Sequence, residues 1–118
     1  GIESNLSREE KLEKAYQANY HMWIAQALVY KLFRQKYPQN FIGPAVSYIT
    51  TLPATMSSED TMAAKELEDF YSFSQMEVAV KGKIPRYFEK ELENNKIYVV
   101  QEPEDEKYYL KGQPIIWE

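Results

Sequence analysis

Cysteine is missing from this 118-residue chain. Its absence removes disulfide frameworks, thiolate catalysis and thiolate metal sites from consideration. Histidine occurs once and glycine only four times. A zinc centre needs three or four nitrogen, sulfur or oxygen ligands, and a phosphate-cradling loop needs clustered glycines; neither pattern is present, so no metal and no cofactor is expected. Basic residues are outnumbered, 14 against 18 acidic, for a formal charge of -4. A nucleic-acid footprint wants the opposite balance. No apolar run reaches the roughly 18 residues of a membrane span, and no signal pattern opens the chain. The expected address is cytoplasmic, without nucleic acid or membrane as partner. The length falls short of a closed (β/α)8 barrel, which takes about 250 residues, and suits one domain over residues 1–118.

Aromatic residues are plentiful: ten Tyr, five Phe and two Trp. Such a chain buries much area per residue, which argues against disorder. Ser7-Arg8-Glu9-Glu10 is a capping-box signature, and the helical pattern after it runs to about Lys36, just before Pro38. Met22, Ala25, Val29, Leu32 and Phe33 mark one face of that helix; Trp23, Ala27 and Tyr30 mark another. A helix apolar nearly all round is expected to be buried nearly all round, by this chain or by something else.

Phe41 to Ile49 is almost continuously apolar and reads as a strand of a parallel sheet, with Pro44 at its start or edge. A second helix is expected from Ser57 and Ser58, with Met62, Ala63, Leu67, Phe70 and Tyr71 as its stripe. Met76, Val78 and Val80 read as an extended piece ending at Gly82. Pro85 suits the first turn of a third helix to Asn94. Ile97 to Val100 reads as a short strand, Pro103 as the start of an acidic turn closing at Gly112, and Ile115 and Ile116 as a last strand.

The single histidine, His21, lies mid-helix and reads as structural, satisfied by a hydrogen bond, ahead of a catalytic role with Ser47 or the Thr50-Thr51 pair. Glu102, Glu104, Asp105 and Glu106 lack the alternating oxygens and central Gly of a calcium loop and read as a solvated acidic turn. Tyr108, Tyr109 and Trp117 suit a core better than a stacking platform. Glu118 reads as a solvated terminal acid.

The order of residues says more. Ala18 to Lys31, with His21 and Ala25-Gln26-Ala27-Leu28, then Pro38 and Ile42-Gly43-Pro44, resembles the glycoside hydrolase family 1 β-glycosidases, most of all the bacterial 6-phospho-β-glucosidases. Tyr48 through Pro53-Ala54-Thr55, Ser58-Glu59-Asp60 through Ala63-Ala64, and Val78 through Gly82-Lys83-Ile84-Pro85 are similar to successive segments of that family. The likeness spans roughly Ala15 to Gly112 and is weaker toward the end, where the family's Asp-Phe is missing.

The resemblance implies an α/β fold: a partial (β/α)8-barrel segment with the helix after strand 4, strand 5 and its helices, and the approach to strand 6. An α+β rearrangement is the runner-up. It implies a retaining glycosidase as parent, acting on β-glucosides or their 6-phosphates. The family's acid/base sits in an Asn-Glu-Pro motif and its nucleophile in a Glu-Asn-Gly motif. Neither occurs in these 118 residues, so no catalytic residue is expected here and the chain is expected to be inactive alone. Retaining hydrolysis needs two carboxyls about 5–5.5 Å apart. Ser47, Tyr48 and Thr50, at the end of the expected fifth strand, are the candidates for lining the aglycone side. The expected partner is the remainder of a barrel or another copy of the chain, as a homo-oligomer. A stand-alone interaction or oligomerisation module is the other reading, and a small enzyme using His21 the third.

Overall fold

The structure, a computed structural model, describes residues 5–107. The expected last strand, Gly112, Tyr108, Tyr109, Trp117 and Glu118 lie outside them. Helix α1 spans Arg8–Lys36. The Ser7 hydroxyl accepts from the Glu10 N–H at 3.2 Å, and the Ser7 N–H donates to Glu10 Oε2 at 2.8 Å. This is the expected capping box, which satisfies two of the donors that a helix start leaves open. Helix α2 covers Ser58–Glu68 behind an Ser57 cap. It runs without a break into a π-helical turn, Asp69–Phe73, and on into α3, Ser74–Lys81. Helix α4, Arg86–Asn94, follows Pro85. A 3₁₀ turn, Pro103–Lys107, makes up the acidic stretch.

The core gathers where α1 crosses α3 and α4. Tyr20, Trp23, Ala27 and Tyr30 from α1, Val78 from α3 and Phe88 from α4 are all buried. Phe70 stacks on Phe88 with ring centroids 4.7 Å apart, and Trp23 meets Phe88 edge-on at 5.1 Å. Tyr16 leans against Phe70 and Phe88 from outside. Offset and edge contacts of this kind add to the area they bury.

The described residues form helices and irregular segments, with no strand among them; this corrects the α/β expectation and its α+β runner-up as the architecture of these residues taken alone. A strand exists only as half of a ladder, and an isolated extended segment has no neighbour to pair with. Residues 41–46 nevertheless alternate, with Ile42, Pro44 and Val46 half-buried and Phe41, Gly43 and Ala45 exposed. This is the two-residue period of a strand without its hydrogen-bonded partner. Residues 97–100 are likewise unpaired.

Met76, Val78 and Val80 are not extended but helical, in α3. The buried positions there are Ser74, Val78 and Ala79, a helical spacing that a buried serine disguises. The expected end at Gly82 holds: its φ is 66° and its N–H reaches the Val78 carbonyl at 2.9 Å, a left-handed cap that glycine adopts without strain. The stripe assigned to α2 is also corrected. Met62, Ala63, Leu67 and Tyr71 are exposed, Phe70 is half-buried, and Ala64 is the buried residue of α2. The π turn shifts the register of the helix by one residue, so the inward face passes from Ala64 to Ser72, Ser74 and Val78. Helix α1 is covered on one side only: Met22, Val29 and Leu32 remain more than half exposed.

Candidate functional site

Ser47, Tyr48 and Thr50 close the extended segment, and all three are exposed. The segment is held at Ile49. The buried Ser72 hydroxyl donates to the Ile49 carbonyl at 3.2 Å and accepts from the Ile49 N–H at 3.1 Å. One side chain thus satisfies both main-chain groups of one residue, as a neighbouring strand would. Ser72 occupies the π turn, whose altered register brings it to face the segment. The turn itself is closed by the Ser74 N–H on the Asp69 carbonyl, and the Ser74 hydroxyl donates to the Phe70 carbonyl at 2.6 Å.

The three candidate residues do not converge. Ser47 lines an open groove of ≈ 270 Å³ with Gln26, Pro44, Ala45, Val46 and Gln75. Tyr48 turns the other way. Its ring meets Phe73 edge-on at 5.6 Å, and its phenol is raised above the ordinary value chiefly by a hydrogen bond to the Glu68 carboxylate. Thr50 faces solvent.

The groove beside Ser47 has amides and a hydroxyl but no acid in its lining. Its amides are already engaged. Gln75 Oε1 accepts from the Trp23 indole at 2.7 Å, and Gln75 Nε2 donates to Asn19 Oδ1 at 3.1 Å. Gln26 Nε2 donates to the Tyr30 hydroxyl at 3.1 Å. Such a surface can hydrogen-bond a hydroxylated ligand through Ser47, but it offers no general acid and no carboxylate nucleophile.

His21 is exposed and sits 3.0 Å from Gln17 Nε2. Gln17 Nε2 also donates to the Val100 carbonyl at 3.0 Å, while the Val100 N–H donates to Gln17 Oε1 at 2.7 Å. The glutamine therefore fastens residues 97–100 as Ser72 fastens 41–50, and its remaining amide hydrogen is aimed at the imidazole. This is the structural hydrogen bond expected for His21.

The acidic turn is tied to the body through Asp105. Its Oδ2 accepts from the Tyr20 hydroxyl at 2.8 Å and from the Glu102 N–H at 3.0 Å. Elsewhere Glu77 is held below the usual carboxylate range by its ion pair with Lys81, with the Tyr87 hydroxyl as a second donor. Glu93 pairs with Arg86, and Asp69 with Lys65. Among the described residues no three His, Cys, Asp or Glu side chains are grouped to share a metal ion, and no helix is long and apolar enough to cross a membrane.

Reading by residue type missed Ser72, Gln75 and Gln17. The one available signal was a pair of serines, Ser72 and Ser74, inside an otherwise helical stretch. Small hydroxyls at helix-interior positions mark places where a side chain serves the main chain.

Comparison with known proteins adds what the geometry lacks. The sequence signature of glycosyl hydrolase family 1 matches residues 6–117. The chain is 34% identical over 99 residues to aryl-phospho-beta-D-glucosidase BglH of Bacillus subtilis (strain 168), covering 84% of the chain and 21% of that relative. It is 30% identical over 105 residues to aryl-phospho-beta-D-glucosidase BglA of the same organism, covering 88% and 22%. The chain thus spans about a fifth of the length of the curated relatives it matches.

Proposed function

Because the chain belongs to glycosyl hydrolase family 1, we propose that it is one segment of a (β/α)8-barrel β-glycosidase acting on aryl β-glucosides, with the 6-phosphates preferred, and that by itself it does not hydrolyse them. The observation that carries this reading is the match along residues 6–117 together with the phospho-glucosidase relatives. Inactivity follows from chemistry. Double displacement at the anomeric carbon needs one carboxyl to protonate the leaving oxygen and a second to attack. Neither of the family's glutamate motifs is in the 118 residues, and Glu77, Glu93, Asp69 and Asp105 are engaged with Lys81, Arg86, Lys65 and Tyr20.

In the assembled barrel residues 41–50 take up a strand position, and Ser47, Tyr48 and Thr50 line the aglycone side at its end. The exposure of Ser47 and Thr50 in this chain fits groups left for a ligand or for the rest of the barrel, whereas Tyr48 would have to leave Phe73 and Glu68 to join them. The test is an assay of the 118-residue chain with nitrophenyl β-glucoside and its 6-phosphate. No turnover above buffer is expected. Turnover abolished by a single glutamate substitution in the chain would overturn the proposal.

A further inference from the structure

The π turn Asp69–Phe73 grips two consecutive residues of the extended segment. The Ser72 hydroxyl takes both main-chain groups of Ile49, at 3.1 and 3.2 Å. The next residue of the turn, Phe73, meets the Tyr48 ring edge-on at 5.6 Å. Glu68, just before the turn, holds the Tyr48 phenol by a hydrogen bond. Among the described residues no hydrogen bond between main-chain groups ties Ser47, Tyr48 or Thr50. The end of the segment is therefore held chiefly by one turn of helix.

Two serines fit the turn for that task. In a continuous α-helix the Ser74 N–H would reach the Phe70 carbonyl, four residues back. Here it reaches the Asp69 carbonyl, five back, and the Phe70 carbonyl loses its usual donor. The Ser74 hydroxyl supplies another, at 2.6 Å. Ser74 is wholly buried, where an unmatched carbonyl would be costly. The wide turn thus stands without an orphaned group at Phe70. Ser72 is 1% exposed, and its hydroxyl both donates to and accepts from Ile49, which engages its one hydrogen and one of its lone pairs.

The two grips differ in kind. Tyr48 is held through its side chain, and rotation about its own side-chain bonds can free the ring from Phe73 and Glu68 while the main chain stays in place. Ile49 is held through the main chain itself. Ser47 and Thr50, two residues before it and one after, must follow wherever that main chain is fixed.

We infer that Ser72 is a positioning residue of the proposed site: from the π turn its hydroxyl fixes the main chain at Ile49, and through it the places of Ser47 and Thr50, independently of where the Tyr48 ring lies. The inference rests on the reading of residues 41–50 as a barrel strand whose end lines the site. Ser72 supplies from within the chain the pair of hydrogen bonds that a neighbouring strand supplies in a sheet, so this end of the segment is set before any further strand joins it.

Amide hydrogen exchange of the 118-residue chain, followed residue by residue by nuclear magnetic resonance, tests it. Corrected for intrinsic rates, the wild-type Ile49 amide is expected to exchange about tenfold more slowly than those of Tyr48 and Thr50. Ser72→Ala is expected to remove that protection and to move the Ser47 and Thr50 signals toward random-coil positions. The Val100 amide, which donates to Gln17, is expected to keep its own protection in this variant. Tyr48→Ala is expected to leave Ile49 protected. A wild type in which Ile49 exchanges as fast as its neighbours would overturn the inference, even if Ser72→Ala fails to fold. So would a folded Ser72→Ala with Ile49 still protected, or a Tyr48→Ala that loses protection at Ile49 but not at Val100. Failure of the glycosidase reading shows separately, as turnover in the sugar assay, and leaves these exchange rates unchanged.

Discussion

Gln75 shows how much one amide can hold. It accepts from the Trp23 indole and donates to Asn19, joining α3 to α1 across the buried side of the long helix. Trp23 is 2% exposed, so its indole N–H relies on the Gln75 oxygen. Gln75→Ala is expected to cost about 1–3 kcal/mol, the penalty of a buried donor left unpaired. Urea unfolding followed by circular dichroism measures it; an unchanged midpoint would show that the indole finds another partner. None of this is legible from residue type, because glutamine is usually a surface residue. His21 was legible: a lone imidazole with no ligand cluster is most simply a hydrogen-bonded one, and Gln17 provides the bond.

At the scale of elements, ends were easier to read than interiors. Ser7, Ser57, Gly82 and Pro85 each bound a helix as their chemistry dictates, because caps are local and the residues that make them are few. The end of α4 is less comfortable. Lys96 has a φ of 55°, with its N–H on the Glu93 carbonyl at 3.1 Å and the next N–H, of Ile97, on the Leu92 carbonyl at 2.9 Å. This is a Schellman end with lysine in the position glycine favours. Left-handed backbone costs an L-residue roughly 1–2 kcal/mol, and a new glycine gives back about 0.4–1 through unfolded-chain entropy. Lys96→Gly is therefore expected to stabilise the chain by about 0.5–1 kcal/mol, read as a raised urea midpoint; a lowered midpoint would sink the reading of that turn. The strand expectations failed at this same scale. Phe41 to Ile49 and Ile97 to Val100 carry strand-like sequences, but a ladder is made by two segments, and Ser72 and Gln17 stand in for the second at Ile49 and Val100. The π turn was not legible either, since its register shift follows from packing rather than from any residue preference.

For the molecule as a whole, tyrosines tie distant parts of the chain together, and this gives stability a pH dependence. Burial pushes the Tyr16 phenol up to about 12 from 10.0. Burial also raises Tyr20, with the Asp105 carboxylate adding to it, and Tyr87, with Glu77 adding. A phenol whose folded value is raised contributes stability that is intact below about pH 10 and lost as the pH climbs through the folded value. The urea midpoint is expected to hold through neutral pH and to fall between about pH 10 and 12. Tyr16→Phe, which removes one of the titrating groups, is expected to flatten that fall. A midpoint indifferent to alkali would show that these phenols ionise as freely folded as unfolded.

Composition and residue order alone excluded disulfides and thiolate chemistry, placed the helix starts at Ser7, Ser57 and Pro85, and carried the family likeness that the signature over residues 6–117 bears out. They could do so because caps, glycine turns and motif spacings are properties of neighbouring residues. Tertiary structure decided which of α1's two apolar faces is covered, that the segment at 76–80 is helical, and which side chains hold the unpaired segments. Those outcomes depend on what lies across the core from each residue: Val78 and Phe88 bury the Trp23 side of α1, and within these residues nothing buries the Val29 side.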